Sequence, residues 1–286
     1  MSRLLAGLNR TPDPRALGRF FKLREQPPVW QRAVAGAACL ALILLLWFLV
    51  THGARVEDRR VSSVILPSPA EVASSSHSLW FDRALSRNAI WSLWRVVAGF
   101  GIAALVGVPL GILCGTWPRL NAFFAPISVF LRNVPVSALV PLTLVWFGIS
   151  EEQKVMFIFI ACVMFVVFDA ARSVASVDDR YVQTALTLGA SKFQVLMKVL
   201  VPLSLPDIFG SLRLLFGLAF GYIILAEIVG SEAASGGLGK LIEDSGKRGL
   251  TEHIILLLIT ITIMAYGIDR ALFFLQGQLF PFREGK

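Results

Sequence analysis

The chain alternates between long apolar runs and shorter polar connections, and the length of each run decides what it predicts. Ala33 to Val50 is apolar for 18 residues, and about 20 such residues cross a bilayer. A secretory leader has a shorter apolar core and a small-residue cleavage site. Here a long polar stretch precedes the run and no A-x-A comes after it, so it predicts a retained transmembrane helix. Further spans are predicted at Ile90–Cys114, Val155–Ala171, Ile208–Val229 and Ile254–Leu275. Asn121 to Gly148 is apolar for 28 residues but contains Pro126, Pro135 and Pro141. That pattern predicts a short interfacial helix and then a kinked span, tolerated where protein or a cavity covers the freed backbone.

The expected fold is therefore an all-α, polytopic membrane protein with six transmembrane helices. The expected divisions are an N-terminal segment at 1–31, a first transmembrane helix at 32–51 and a loop at 52–89. A five-helix core at 90–275 and a tail at 276–286 complete the chain. Leu66-Pro67-Ser68-Pro69 reads as a loop signal. Within the second span, Gly107, Gly111 and Gly115 share one helix face and permit close helix approach.

The connection at 178–206 has a different pattern. Val182, Ala185, Leu186, Gly189, Phe193, Leu196, Val199 and Leu200 recur at three- and four-residue steps. Gly189 breaks this stripe, Ser191 is placed to cap a second helix, and Pro202 and Pro206 are expected to end it. Two short amphipathic helices joined by a glycine turn are predicted. On pattern alone, such helices dock into a partner's groove or lie on the lipid surface.

Composition agrees with the spans: 56% of the residues are hydrophobic and 16% charged. A soluble globule of this size could not hide that much apolar surface, and a disordered chain would be apolar-poor. The formal net charge is +8, from 27 basic and 19 acidic residues. In a membrane protein this reads as loop Lys/Arg bias and not as nucleic-acid binding. With the N-terminus in the cytoplasm, the inside segments hold fifteen Lys/Arg and the outside segments nine. Both termini are expected inside, with 52–89 outside and 178–206 inside.

Little in the chain suggests chemistry. Cys39, Cys114 and Cys162 lie in apolar runs without CxxC spacing, and no metal site is expected. A phosphate-binding G-x-x-x-x-G-K-[ST] loop is approached only at Gly239-Lys240, where Ala234 fills the first glycine position and Leu241 comes after the lysine. His52, His77 and His253 belong to no catalytic motif. The chain is expected to be non-enzymatic and to bind no cofactor. Ionisable residues in spans are functional candidates. Arg132 with the adjacent Asn133, Glu227 and Arg213 are the candidates for a translocation pathway, against snorkelling or ion pairing.

The segment from Tyr181, YVQTALTLGASKFQVLMKVLVPLSLP, resembles the "EAA" loop of permease subunits in binding-protein-dependent ABC importers. That motif reads E-A-A, three residues, Gly, nine residues, I-x-L-P. With its glycine on Gly189, its proline falls on Pro202; Ala185 matches the last alanine, Gln183 and Thr184 stand for Glu and the first Ala, and Val199 and Val201 stand for Ile and Leu. Ala190 and Ser191 complete the turn. Leu66–Pro69, Ser92–Phe100, Gly107–Gly115, Leu131–Glu151, Leu225–Gly230 and Gly236–Ile242 resemble segments of the nitrate/sulfonate/taurine/bicarbonate branch. The resemblance covers about residues 60–285. It implies a type I importer permease fold, a second permease copy (a homodimer), two cytoplasmic ATPases carrying ATP and Mg, and an extracytoplasmic substrate-binding protein. It further implies that the 178–206 loop couples to the ATPase, that the cargo is a small anion and that the membrane is the bacterial inner membrane. The other reading is a secondary transporter or channel, which favours inverted repeats and midplane ion ligands.

Overall fold

The computed structural model describes residues 28–53, 61–229 and 236–281. Most of the expected 1–31 segment, part of the 52–89 loop, residues 230–235 and the end of the tail lie outside these ranges. The chain divides into two units, 1–60 and 61–286. In the first, helix α1 runs Val29–Thr51 without a break, so the apolar run forms a single helix of spanning length.

Among the described residues of the second unit, every secondary-structure element is a helix. Helix α2, Pro69–His77, starts where a loop was expected to continue. Ser68 accepts the Glu71 N–H and Glu71 accepts the Ser68 N–H, with Pro69 in the first turn, so Leu66–Pro69 is a helix start. A π turn at Ser78–Asp82 comes next. The long helices are α3 (Leu85–Thr116) and α6 (Glu151–Ala175). Between them, α4 (Pro118–Arg132) and α5 (Val136–Phe147) meet at 97°. Asn133 and Pro135 end one helix and start the other, confirming the break but turning a kink into a right angle.

The 178–206 connection is helix α7 (Asp179–Thr187), a turn, and α8 (Lys192–Val195). Here one expectation fails. The second amphipathic helix does not stop at Pro202 or Pro206; it continues through a π turn at Leu196–Leu200 into α9 (Val201–Val229). Within the π turn, Val201 N–H donates to Leu196 O, five residues back. This wider turn shifts the hydrogen-bond register just where Pro202 lacks a donor, so the helix absorbs the proline instead of ending. Helices α10 (Leu238–Lys247) and α11 (Thr251–Leu279) complete the chain; α10 was not expected.

Among the described residues, five helices are long and apolar enough to cross a membrane, or six if α4 and α5 count as one bent span. Helices α3 and α6 form the centre. The predicted glycine stripe is real and longer than expected: Gly99, Gly107, Gly111 and Gly115 all face α6. A methyl group on Gly111 would lie 2.5 Å from Ala170 Cβ and 2.6 Å from Val167 O. Phe100, Phe157, Ile158, Phe220 and Ile223 fill the core where α9 joins this pair. Cys114 and Cys162 are buried and unpaired, consistent with packing roles.

Candidate functional site

Two sites occupy opposite ends of α6 and α9. At one end lies the 178–206 connection. Asp178 caps α7 by accepting the Arg180 N–H at 2.9 Å and pairs with the Arg180 guanidinium at 2.6 Å. These bonds from Arg180 hold the Asp178 carboxyl below the usual carboxylate range. Helix α7 ends in a left-handed residue, Gly189, with φ +80°. Ala190 N–H donates to Ala185 O and Gly189 N–H to Leu186 O, closing the last turn. Ser191 and Gln194 then form a reciprocal cap that starts α8. The turn is therefore specified by Gly189 and Ser191 in succession.

Around this turn, Gln183, Thr184, Gly189, Ser191 and Pro202 are exposed, while Ala185, Ala190 and Val199 are half-buried. The predicted apolar stripe divides. Val195 and Leu196 turn inward and fix the second helix. Leu188 is 83% exposed and Phe193 70% exposed, with Tyr181, Leu186 and Met197 exposed beside them. An apolar face this open, with polar neighbours, marks an interaction surface.

The opposite end holds a buried ionic knot. Arg95 is fully buried and donates to three partners. Its Nε and Nη2 reach the two Glu151 oxygens at 2.6 and 2.7 Å, and its Nη1 reaches Glu227 Oε1 at 2.6 Å and Gly236 O at 3.1 Å. Glu227 also accepts from Ser92 Oγ at 2.8 Å and from Gly239 N at 2.9 Å. Lys154 Nζ reaches Glu151 at 3.0 Å, Leu238 N donates to Ser92 Oγ and Gly237 N to Asn88 Oδ1. Two cations thus meet two carboxylates, and the remaining carboxylate positions take neutral donors, as burial of charge requires. The glycines are obligatory. A Cβ on Gly237, at φ +119°, would meet the Glu227 carboxyl at 2.5 Å, and one on Gly239 would meet Ile224 O at 2.7 Å.

The pathway candidates are scattered. Arg132 sits at the right-angle bend with its guanidinium 3.6 Å over the Phe168 ring, and Asn133 beside it bonds Val129 O. Arg213 pairs with Asp269 at 2.7 Å and borders a cleft of about 1350 Å³ between α9 and α11. Glu227 is 1% exposed and is committed to the knot, so in this conformation its carboxylate is closed to a passing solute. The sequence reading missed Arg95 as the partner of Glu227, and Glu151 as the second carboxylate on Arg95. The available signal was two opposite charges, Arg95 and Glu227, each in an apolar span.

Comparison with known proteins agrees with this architecture. Residues 107–283 match the family described as binding-protein-dependent transport system inner membrane component. The chain is 30% identical over 265 residues to the taurine transport system permease protein TauC of Escherichia coli (strain K12), covering 91% of this chain and 94% of that protein. It is 38% identical over 195 residues to the bicarbonate transport system permease protein CmpB of Synechococcus elongatus, covering 68% and 69%. The fold resembles a chain of the MetNI methionine ABC transporter in an inward-facing conformation, with a TM-score of 0.62, 21% identity, and coverage of 71% of this chain and 97% of that one. The chain belongs to the binding-protein-dependent transport system inner membrane components, and it is a non-catalytic permease subunit of an ABC importer.

Proposed function

We propose that this permease carries a small oxyanion-bearing solute, such as a sulfonate, nitrate or bicarbonate, and docks its ATPase through Gln183–Pro202. The observation that carries the docking assignment is the open apolar face around the Gly189 turn. Tyr181, Leu186, Leu188 and Phe193 are exposed there, on a segment that keeps the spacing of the EAA loop. A groove on the ATPase would cover them, as an amphipathic helix in a groove requires. In this reading both termini and the docking loop face the cytoplasm, the ionic knot faces outward, and ATP and Mg reside on the partner ATPase. Two copies of the chain form the pathway, in a core at 90–275.

The names of the relatives, taurine and bicarbonate permeases, support the solute class. Arg132 and Asn133 at the break of the third span form the pathway element. A guanidinium matches an oxyanion in charge and in fork geometry, and a helix break in a membrane is tolerated where it lines a cavity. Arg213, tied to Asp269, borders the cleft and plays the lesser part, and Glu227 serves by holding the outer end together.

The test is uptake of labelled taurine and bicarbonate into proteoliposomes containing the permease and its ATPase. Uptake of one of them should require ATP and the binding protein, and Arg132→Gln should lower it about tenfold, the loss of one charge-assisted contact. Transport by the purified chain alone, down an ion gradient, would contradict the reading.

A further inference from the structure

The two sites are joined by one element. Helix runs from Lys192 to Val229, 38 residues, or about 57 Å at 1.5 Å per residue. It starts at the capped Ser191 turn of the docking loop and ends two residues after Glu227, in the ionic knot. Near the start it is attached to α6 by apolar contacts, Ile208 packing with Ala170 and Val174 and with Leu200 and Leu212 beside them, while its ties to α11 are the Gln276 bond to Pro206 O at 2.9 Å and the partly exposed Arg213–Asp269 pair at 2.7 Å. At the far end Glu227 is held by ionic and hydrogen bonds to two other elements and, through Arg95, is linked to a third. Arg95 and Ser92 belong to α3, Glu151 to α6, and the Gly236–Gly239 turn opens α10. Among the knot residues, Arg95 is the only group that touches α6, α9 and this turn together.

We propose that Arg95 is a positioning residue for transport: it anchors the outer end of the Lys192–Val229 helix to α3, α6 and α10. Movement imposed at the docking loop then reaches the outer mouth as movement of a whole body. The apolar packing against α6 at the docking-loop end can slide in small steps, as packed helices do, and water can screen the partly exposed Arg213–Asp269 pair as it shifts. The knot cannot slide, because each partial displacement would leave a buried charge short of partners. The anchoring does not touch the solute and does not touch the ATPase; it sets how much of the motion at one end arrives at the other. The inference rests on the docking loop proposed for Gln183–Pro202.

The experiment uses the full complex, with ATPase and binding protein, in proteoliposomes. Arg95→Lys keeps the charge but loses the fork that serves Glu151 and Glu227 together. Glu151→Gln keeps the shape and removes one charge at a position whose side chain is 47% exposed. In both, the ATPase should co-purify and hydrolyse ATP without binding protein within about twofold of the parent. Solute imported per ATP should fall about tenfold in Arg95→Lys and severalfold in Glu151→Gln. If Arg95→Lys yields no folded subunit, Glu151→Gln decides. An unchanged ratio of solute to ATP, including a parallel fall of uptake and hydrolysis, would overturn the proposal. Failure of the docking reading shows separately, as ATPase retained by a permease whose Gly189 turn has been broken.

Discussion

A Gly111→Val permease should fail to accumulate as a folded subunit. At Gly111 a Cβ alone would lie 2.5 Å from Ala170 Cβ and 2.6 Å from Val167 O, closer than side-chain carbons approach. Part of the obstacle is backbone, so no rotamer change relieves it, and α3 would have to move off α6. Overpacking of a fitted core costs about 1–3 kcal/mol, and here the cost should lie at or above the top of that range. The pairing of α3 with α6 is also the centre of the bundle, where close approach of small residues supplies the attraction that lipid does not. The matched control is Gly101→Ala, in the same helix, where a Cβ meets nothing within 4 Å. That variant should equal or slightly exceed the parent, since alanine favours helix over glycine. Yield of monodisperse protein in detergent and its thermal midpoint separate the two. Similar values for both would show that the helices are not packed through this stripe.

The second large effect is expected at Arg95. In Arg95→Met, Glu227 stays buried with only the neutral donors Ser92 and Gly239 around it. Breaking one side of a buried ion pair costs about 3–5 kcal/mol, because a charge is left without its partner. Glu151→Gln should cost less, about 1–3 kcal/mol: buried Arg95 and Lys154 lose a charged partner, but the amide oxygen still accepts a bond and the half-exposed position admits water. The ordering of the two variants is the informative part. A thermal midpoint lowered more by Arg95→Met than by Glu151→Gln supports the knot as drawn. Equal midpoints would mean that Glu227 finds another partner.

The spans were legible because bilayer thickness imposes a long apolar run whatever the packing. Ala33–Val50 and Ile254–Leu275 fall inside α1 and α11, short of their ends by one to four residues. The ends were missed because polar residues such as Arg87 and Asn88 occupy the first turn of α3, where helix termini meet water. The Gly189 turn was legible for a local reason: a glycine with a capping serine two residues on specifies its own geometry. Pro202 and Pro206 misled because a proline was read as a stop, whereas the π turn at Leu196–Leu200 supplies a register that accommodates it. The knot was not legible. Its Arg95 bonds Glu151 and Gly236 at sequence separations of 56 and 141 residues, and no periodicity connects residues so far apart. Gly237 and Gly239 are required because the Glu227 carboxylate and the Ile224 carbonyl leave no room for a Cβ.

Docking of the ATPase on the turn at Gly189 is the central claim, and one measurement addresses it directly. Gly189 has φ +80° and is exposed, with nothing within 4 Å of the position a Cβ would occupy. Proline fixes φ near −65° and removes the N–H that bonds Leu186 O, so Gly189→Pro breaks the turn while leaving the glycine stripe and the ionic knot alone. Membranes carrying tagged permease, parent or Gly189→Pro, together with the ATPase are solubilised and purified on the tag. Permease yield and thermal midpoint should be equal, with the ATPase retained by the parent and lost from the variant. ATPase retained by Gly189→Pro at the parent's stoichiometry would contradict the docking claim.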